Sequence, residues 1–118
     1  MSAGRITTHV LDIAHAKPAV SMQVRLWRLD EAASPLLLKA ARLNGDGRLD
    51  EPLIGEGRLE AGVYEIVFEV GAYYKEVWEL DSPFLDLIPV RFKVADADAH
   101  YHVPLLVSPG GYSTYRGT

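Results

Sequence analysis

The chain contains no cysteine among its 118 residues. That excludes a disulfide framework, a thiolate metal site and a cysteine nucleophile, and it leaves the cellular compartment open. No apolar run approaches the roughly 20 residues that a membrane-spanning helix needs. The first residues also lack an apolar segment of the secretory type. We therefore expect a small soluble protein of the cytoplasm that has no membrane partner.

An excess of charge of one sign is also missing. The 12 basic and 16 acidic residues give a net charge of −4, and neither sign forms a long run. Without a basic patch we expect no sequence-independent binding to nucleic acid. Hydrophobic residues make up 48% of the chain, which is enough for one core. We expect a single domain that spans residues 1–118.

What the sequence does contain is alternation of apolar and polar residues with a period of two, broken by turn residues. The clearest case places Tyr64, Ile66 and Phe68 on one face of a strand. Other segments with this pattern, some less regular, lie at 6–11, 22–29, 36–42, 90–94, 101–107 and 112–117. The spacing predicts an all-β sandwich or barrel of about seven strands.

Two places depart from the alternation. Between Ala72 and Leu80, apolar and aromatic residues recur at helical spacing, which predicts a short helix across one edge. Pro104 falls inside a predicted strand, where it cannot donate a ladder hydrogen bond. We interpret that strand as having a free side or a bulge at Pro104. Because exposed strand edges are normally blunted or paired, this interpretation favours an oligomer.

The four histidines are the first candidates for chemistry. His100 and His102 lie two residues apart on a predicted strand and share a face. That arrangement is found in metal chelates, but zinc would need a third protein ligand, from His9 or a carboxylate. Two surface histidines are the more common explanation of such a pair. We expect no metal and no other cofactor.

A loop at 44–51 (NGDGRLDE) superficially resembles a calcium-binding loop. Arg48 and Leu49, however, occupy positions where that loop needs an oxygen ligand and a glycine. A tight turn through Gly45 and Gly47, which presents Arg48 at a fixed place, explains the segment better. We find no serine-nucleophile elbow and no glycine-rich phosphate loop. Spacing alone therefore leaves histidines and one arginine, which do not identify a function.

Three separated motifs are more specific. The chain opens with THVLD at 8–12 and KPA at 17–19, carries HYHVPLLVSP at 100–109, and closes with GYSTYRGT at 111–118. Together with the turn NGDGR at 44–48, these motifs resemble the signatures of the transthyretin-like 5-hydroxyisourate hydrolases. The resemblance covers essentially the whole chain. Its departures are modest: Ala16 replaces a common glycine, and Thr118 replaces the commoner final serine.

The resemblance implies a fold, an assembly and a reaction. The implied fold is a transthyretin-like β-sandwich of two four-stranded sheets with one short helix. The implied assembly is a homotetramer, a dimer of dimers, with its active sites at the dimer–dimer interface. The implied reaction is hydrolysis of 5-hydroxyisourate, the unstable product of urate oxidation, to 2-oxo-4-hydroxy-4-carboxy-5-ureidoimidazoline. The competing hypothesis is a carrier that binds a small ligand without catalysis.

The same resemblance implies the site residues His9, Arg48, His102, Tyr115 and Thr118. A neutral histidine suits removal of a proton from water, because its ordinary pKa is about 6.5. We expect His102 to be this base, with His9 the alternative. Arg48 stays protonated and offers a planar pair of donors to a flat, carbonyl-rich substrate or to a developing oxyanion. Tyr115 and Thr118 are expected to line the same pocket.

Overall fold

The alternating segments form strands, and the segment with helical spacing forms a helix. The computed structural model describes residues 3–30, 33–55 and 57–118. In chain order its elements are β1 (Arg5–Asp12), β2 (Lys17–Pro18), β3 (Gln23–Leu29), β4 (Leu36–Arg42), β5 (Gly62–Glu69), α1 (Val70–Trp78), β6 (Leu87–Val94), β7 (His100–Ser108) and β8 (Gly111–Thr114). Within these residues, no helix is long and apolar enough to cross a membrane.

The strands pair into two sheets of four, in the orders β2-β1-β7-β8 and β4-β3-β5-β6. This confirms the predicted β-sandwich of two four-stranded sheets with one short helix. The core lies between the sheets, and the predicted face of Tyr64, Ile66 and Phe68 is fully buried in it. The next apolar residue in that alternation, Val70, is also buried but begins α1 rather than extending the strand.

The parallel pairing of β1 with β7 is the feature that positions the site. Thr7 lies opposite His102, and His9 lies opposite Pro104. Ile6 and the other even-numbered residues of β1 face the core, so its odd-numbered residues line the outer face of the sheet. Two segments more than ninety positions apart therefore place their polar side chains on one surface.

A buried carboxylate joins the end of β1 to α1. Asp12 is 0% exposed, and its oxygens accept hydrogen bonds from the hydroxyls of Tyr73 (2.9 Å) and Tyr74 (2.8 Å). The Nδ1 of His15 lies 2.7 Å from the same carboxylate, and its ring stacks on Trp78. Burial alone would raise the pKa of Asp12, but the hydrogen bonds from Tyr74, Tyr73 and His15 outweigh it and lower that pKa. This cluster stabilises the packing of α1 against the end of β1, and the Nδ1 of His15 is engaged in it.

The predicted free side at Pro104 is confirmed locally, but the inference that its strand is an edge strand was wrong. Strand β7 lies inside its sheet, between β1 and β8. Proline is tolerated there because the ladder with β8 begins one residue later, at Leu105 opposite Thr114. The Thr114 hydroxyl then donates to the Pro104 carbonyl over 2.7 Å. Pro104 thus gives no evidence about assembly.

Candidate active site

Two histidines on β7 share one hydroxyl from β1. The Thr7 Oγ1 lies 2.6 Å from Nε2 of His100 and 2.8 Å from Nδ1 of His102. The register of the parallel pair creates this contact, because Thr7 stands opposite His102 on the outer face. The Nε2 of His102 has no hydrogen-bond partner within the described ranges 3–30, 33–55 and 57–118. It is therefore available to a substrate or a water.

The loop between β4 and β5 presents Arg48, as the sequence predicts. The Asn44 side-chain oxygen accepts hydrogen bonds from the backbone N–H of Asp46 (2.9 Å) and of Arg48 (3.1 Å). The Asn44 N–H in turn donates to the Arg48 carbonyl over 2.7 Å. The Arg48 guanidinium forms no ion pair with any residue that the structure describes. Its two-pronged donor edge is therefore free for an anion or a carbonyl.

Only one glycine of this turn is needed by the backbone. Gly47 has a φ of +74°, and a Cβ there would lie 2.5 Å from the carbonyl oxygen of Val10. The Gly47 carbonyl accepts the Val10 N–H over 2.9 Å, which fastens the loop to β1. Gly45, by contrast, has open space around it. The turn prediction is confirmed, with Gly47 as its essential residue.

The C-terminal segment, residues 115–118, folds back along β7. The Gly117 N–H donates to the His102 carbonyl over 2.8 Å, and Arg116 donates to the His100 carbonyl over 3.2 Å. These contacts carry Thr118 to the same end of the sheet as His102. A chain end anchored in this way contributes to a site without belonging to a strand.

The histidine pair of β7, the Arg48 loop and the C-terminal segment border a cleft of about 310 Å³ on the outer face. Its wall includes Arg5, Thr7, Arg48, Glu51, His102 and Thr118. Strand β1, the Arg48 loop, strand β7 and the C-terminal segment each contribute at least one of them. The structure therefore brings together Arg48, His102 and Thr118, three of the five residues that the resemblance implies.

His9 lies near the cleft but points its Nε2 elsewhere. That nitrogen lies 2.9 Å from the carbonyl oxygen of Asp46, and a carbonyl can only accept. Nε2 must therefore carry a proton, which leaves Nδ1 as the acceptor of a neutral ring. Burial and the charge of Arg48 together lower the pKa of His9, although the contact with Asp46 opposes them.

Tyr115 is not brought to the cleft by the single chain. It is 58% exposed and borders a separate depression with Thr114, Arg116 and the β6 residues 90–93. Its expected contact with a substrate stays a prediction.

The electrostatics of the cleft favour the neutral form of its histidines. Burial lowers the pKa of His102, and the nearby His100, Arg48 and His9 lower it further. Burial, Arg5 and Arg116 lower the pKa of His100 in the same way. Both rings therefore hold an extra proton more weakly than a free histidine does. A neutral imidazole is the form that can accept a proton.

The geometry does not favour a metal at the histidine pair. The rings of His100 and His102 are 6.1 Å apart between centroids, and each binds the Thr7 hydroxyl. In the described part of the chain, no three His, Cys, Asp or Glu side chains are placed to hold a metal ion.

Sequence reasoning missed Thr7 as a residue of this site. The alternation does place Thr7 on the same face as His9. Nothing in the sequence, however, indicates that β1 runs parallel to β7 in this register. The partner strand is what turns an outward-facing threonine into the link between two histidines.

Comparison with known proteins gives consistent matches. The HIUase/Transthyretin family model matches residues 6–117. A 5-hydroxyisourate hydrolase of Halalkalibacterium halodurans is 52% identical over 118 residues, covering 98% of this chain and 99% of that protein. The solved 5-hydroxyisourate hydrolase of Klebsiella pneumoniae is 30% identical with a TM-score of 0.79 and full coverage of both chains.

A second solved structure shares the fold alone. Sea bream transthyretin, solved in complex with thyroxine, superposes with a TM-score of 0.86 at 24% identity. That match covers 97% of this chain and 95% of the other. Identity this low carries no inference about a ligand.

Proposed function

The chain belongs to the HIUase/Transthyretin family, and we propose that it hydrolyses 5-hydroxyisourate to 2-oxo-4-hydroxy-4-carboxy-5-ureidoimidazoline by histidine-assisted attack of water. Relatives about half identical over nearly their whole length are 5-hydroxyisourate hydrolases. We assign the activity to one domain of residues 1–118, acting without a cofactor.

One observation carries the proposal: Arg48 and His102 line the same cleft, and among the described residues neither the Arg48 guanidinium nor His102 Nε2 has a partner. Arg48 supplies two parallel donors for a flat, carbonyl-rich heterocycle. His102 supplies a neutral acceptor at Nε2. Water is a poor nucleophile, so a base that removes its proton during attack lowers the barrier.

In the mechanism, His102 Nε2 takes a proton from water as the water oxygen bonds to a ring carbonyl carbon. Negative charge develops on the carbonyl oxygen, where Arg48 stabilises it. The carbon–nitrogen bond then breaks, and the leaving nitrogen takes up a proton. That proton is the one His102 removed from water, and we assign to His9 the placing of the substrate.

The roles of Thr118 and Tyr115 complete the proposal. Thr118 lines the cleft and offers a hydroxyl to the substrate. Tyr115 is exposed beside β8, and we propose that it reaches a substrate bound between subunits of a homotetramer built as a dimer of dimers. Sedimentation at several protein concentrations tests the assembly: a single species of monomer mass would contradict it. Cell fractionation tests the proposed cytoplasmic location.

The activity is tested with urate oxidase, which generates 5-hydroxyisourate in place. The decay of 5-hydroxyisourate is followed by its ultraviolet absorbance without added protein, with this protein and with His102→Asn. We expect faster decay with the wild type and loss of that acceleration in the variant. Equal acceleration by both proteins would indicate that His9, rather than His102, is the essential base.

A ligand carrier is the alternative function, and the same assay separates it. A carrier would bind the substrate without shortening its lifetime. A matched control is Arg42→Lys, because Arg42 lies on β4, away from the cleft lining, and its guanidinium donates to the Ser21 carbonyl over 3.2 Å. It should leave the decay rate at the wild-type value.

A further inference from the structure

The hydroxyl of Thr7 joins His100 and His102 in one hydrogen-bonded chain. Its Oγ1 lies 2.6 Å from Nε2 of His100 and 2.8 Å from Nδ1 of His102. A threonine hydroxyl has one proton, so it donates to at most one of the two rings. The protonation of one histidine is therefore coupled to that of the other.

We propose that Thr7 and His100 are positioning residues for His102: they hold its neutral ring as the Nδ1–H tautomer and accept, through the Thr7 hydroxyl, the proton that His102 removes from water. In this arrangement His102 Nδ1–H donates to Thr7, and Thr7 donates to His100 Nε2. The inference rests on the proposed hydrolysis, in which His102 Nε2 is the base.

The opposite direction of the chain would disable the base. If His100 donated to Thr7 and Thr7 donated to His102 Nδ1, a neutral His102 would carry its proton on Nε2. His102 lines the cleft, and its Nε2 could then give a proton but not take one. Which ring nitrogen is protonated is decided by the hydrogen bond at the other nitrogen, and here that bond belongs to Thr7.

The protons balance along the chain. Water gives a proton to His102 Nε2, His102 passes its Nδ1 proton to Thr7 Oγ1, and Thr7 passes its hydroxyl proton to His100 Nε2. Only His100 ends with an added proton. Reversal of the same steps returns it to the leaving nitrogen, so the chain is restored after each turnover.

The charges around the two rings suit such a transfer. The groups that face them are Arg5 and His9 of β1, Arg48, Asp50 and Glu51 of the loop, and Arg116 of the C-terminal segment. Arg48 opposes a charge on His102, while Arg5 and Arg116 oppose one on His100. Neither ring retains an added proton strongly. Transfer of that proton from His102 to His100 moves the positive charge away from Arg48.

The test compares Thr7→Val, which keeps the shape but removes the hydroxyl, with Thr7→Ser, which keeps the hydroxyl. Nitrogen-15 spectra report the tautomer of each histidine, and the signals of His102 are assigned by their loss in His102→Asn. We expect Nδ1–H at His102 in the wild type and in Thr7→Ser, and Nε2–H in Thr7→Val. A wild-type His102 that carries its proton on Nε2 would overturn the proposal.

Activity gives the second readout. We expect Thr7→Val and His100→Asn each to lose about 10–100-fold in kcat/KM, as is common when an orienting partner is removed. Thr7→Ser should recover most of the loss. Thr114→Val removes a hydroxyl that binds the Pro104 carbonyl and should change neither readout. Its effect on unfolding temperature also measures what losing one threonine hydroxyl costs the fold.

The outcomes separate this inference from the proposed function. A rate loss in Thr7→Val without a change of tautomer would overturn the positioning role, and a change of tautomer without a rate loss would overturn the proton chain. If the wild type does not accelerate decay of 5-hydroxyisourate, the proposed function fails. The spectra would in that case still decide whether Thr7 sets the tautomer of His102.

Discussion

Gly117 lies directly against the imidazole of His102. A Cβ built at position 117 would come within 2.6 Å of His102 Cδ2, and the Gly117 N–H binds the His102 carbonyl over 2.8 Å. The ring is thus held between the C-terminal segment on its Cδ2 edge and the Thr7 hydroxyl on Nδ1. Its remaining nitrogen, Nε2, has no hydrogen-bond partner among the residues that the structure describes.

Gly117→Ala should impair catalysis more than folding. The added methyl group must push the His102 ring or the C-terminal segment away, and a displacement of about 1 Å at a reacting group can cost about 100-fold in rate. We expect a large fall in kcat with little change in unfolding temperature. Gly110→Ala is the control, because nothing lies within 4 Å of a Cβ at that position. Equal activity of the two variants would contradict this account of Gly117.

Arg48→Lys should retain the charge of the cleft but lose the paired donors. Loss of one donor to a developing oxyanion typically costs about 10²–10³ in rate. We expect kcat to fall by that order, as measured by decay of enzymatically generated 5-hydroxyisourate. If only KM rises, Arg48 binds the substrate and the transition state equally.

The dependence of kcat/KM on pH should report the lowered pKa of His102. The base must be neutral, so activity should fall on the acid side with an apparent pKa below the ordinary histidine value of 6.5. Burial and neighbouring positive groups cause this shift. Arg48→Met removes one such charge and should move the acid limb to higher pH. An acid limb that moves to lower pH would contradict the assignment.

Asp12→Asn should destabilise the fold without entering the cleft. The buried carboxylate accepts hydrogen bonds from two tyrosines and His15, and a hydrogen bond to a charged group contributes about 1.5–3 kcal/mol. We expect the free energy of unfolding to fall by about 2 kcal/mol or more. Asp96→Asn is the control, since Asp96 caps an exposed turn at Asp98. Urea titrations of both variants measure the difference.

The lowered pKa of Asp12 also predicts acid sensitivity. Its contribution to stability is fully present above the ordinary carboxyl pKa of 3.8 and is lost as pH falls through the lower pKa of the folded state. The free energy of unfolding should therefore fall more steeply between neutral and acid pH in the wild type than in Asp12→Asn. Parallel curves would show that Asp12 does not titrate with unfolding.

Local pattern predicted most of the secondary structure. The bounds of β4 were predicted as Leu36–Arg42 and are confirmed, and the predicted helix at 72–80 corresponds to α1 at Val70–Trp78. Alternation failed to identify which faces of β4 are buried, because this strand lies at a sheet edge where Leu36 is 59% exposed. A run of apolar residues does not distinguish a covered strand from an edge.

The candidate site was only partly predictable for a related reason. The turn that presents Arg48 follows from its own residues, because Asn44 and Gly47 specify a local hydrogen-bond pattern. The placement of Thr118 and the separation of Tyr115 from the cleft depend on how the C-terminal segment crosses β7. That crossing is a contact between residues that no local pattern relates.

The sequence by itself determined the strand and helix segments, the outward face of His9, His100 and His102, and the family, because each follows from local spacing or from motifs read in order. Tertiary structure alone decided that Thr7 meets both His100 and His102. It did so through a parallel pairing of strands whose residues stand more than ninety positions apart. Side-chain alternation specifies which way a residue faces, but the partner that it meets depends on strand order and register.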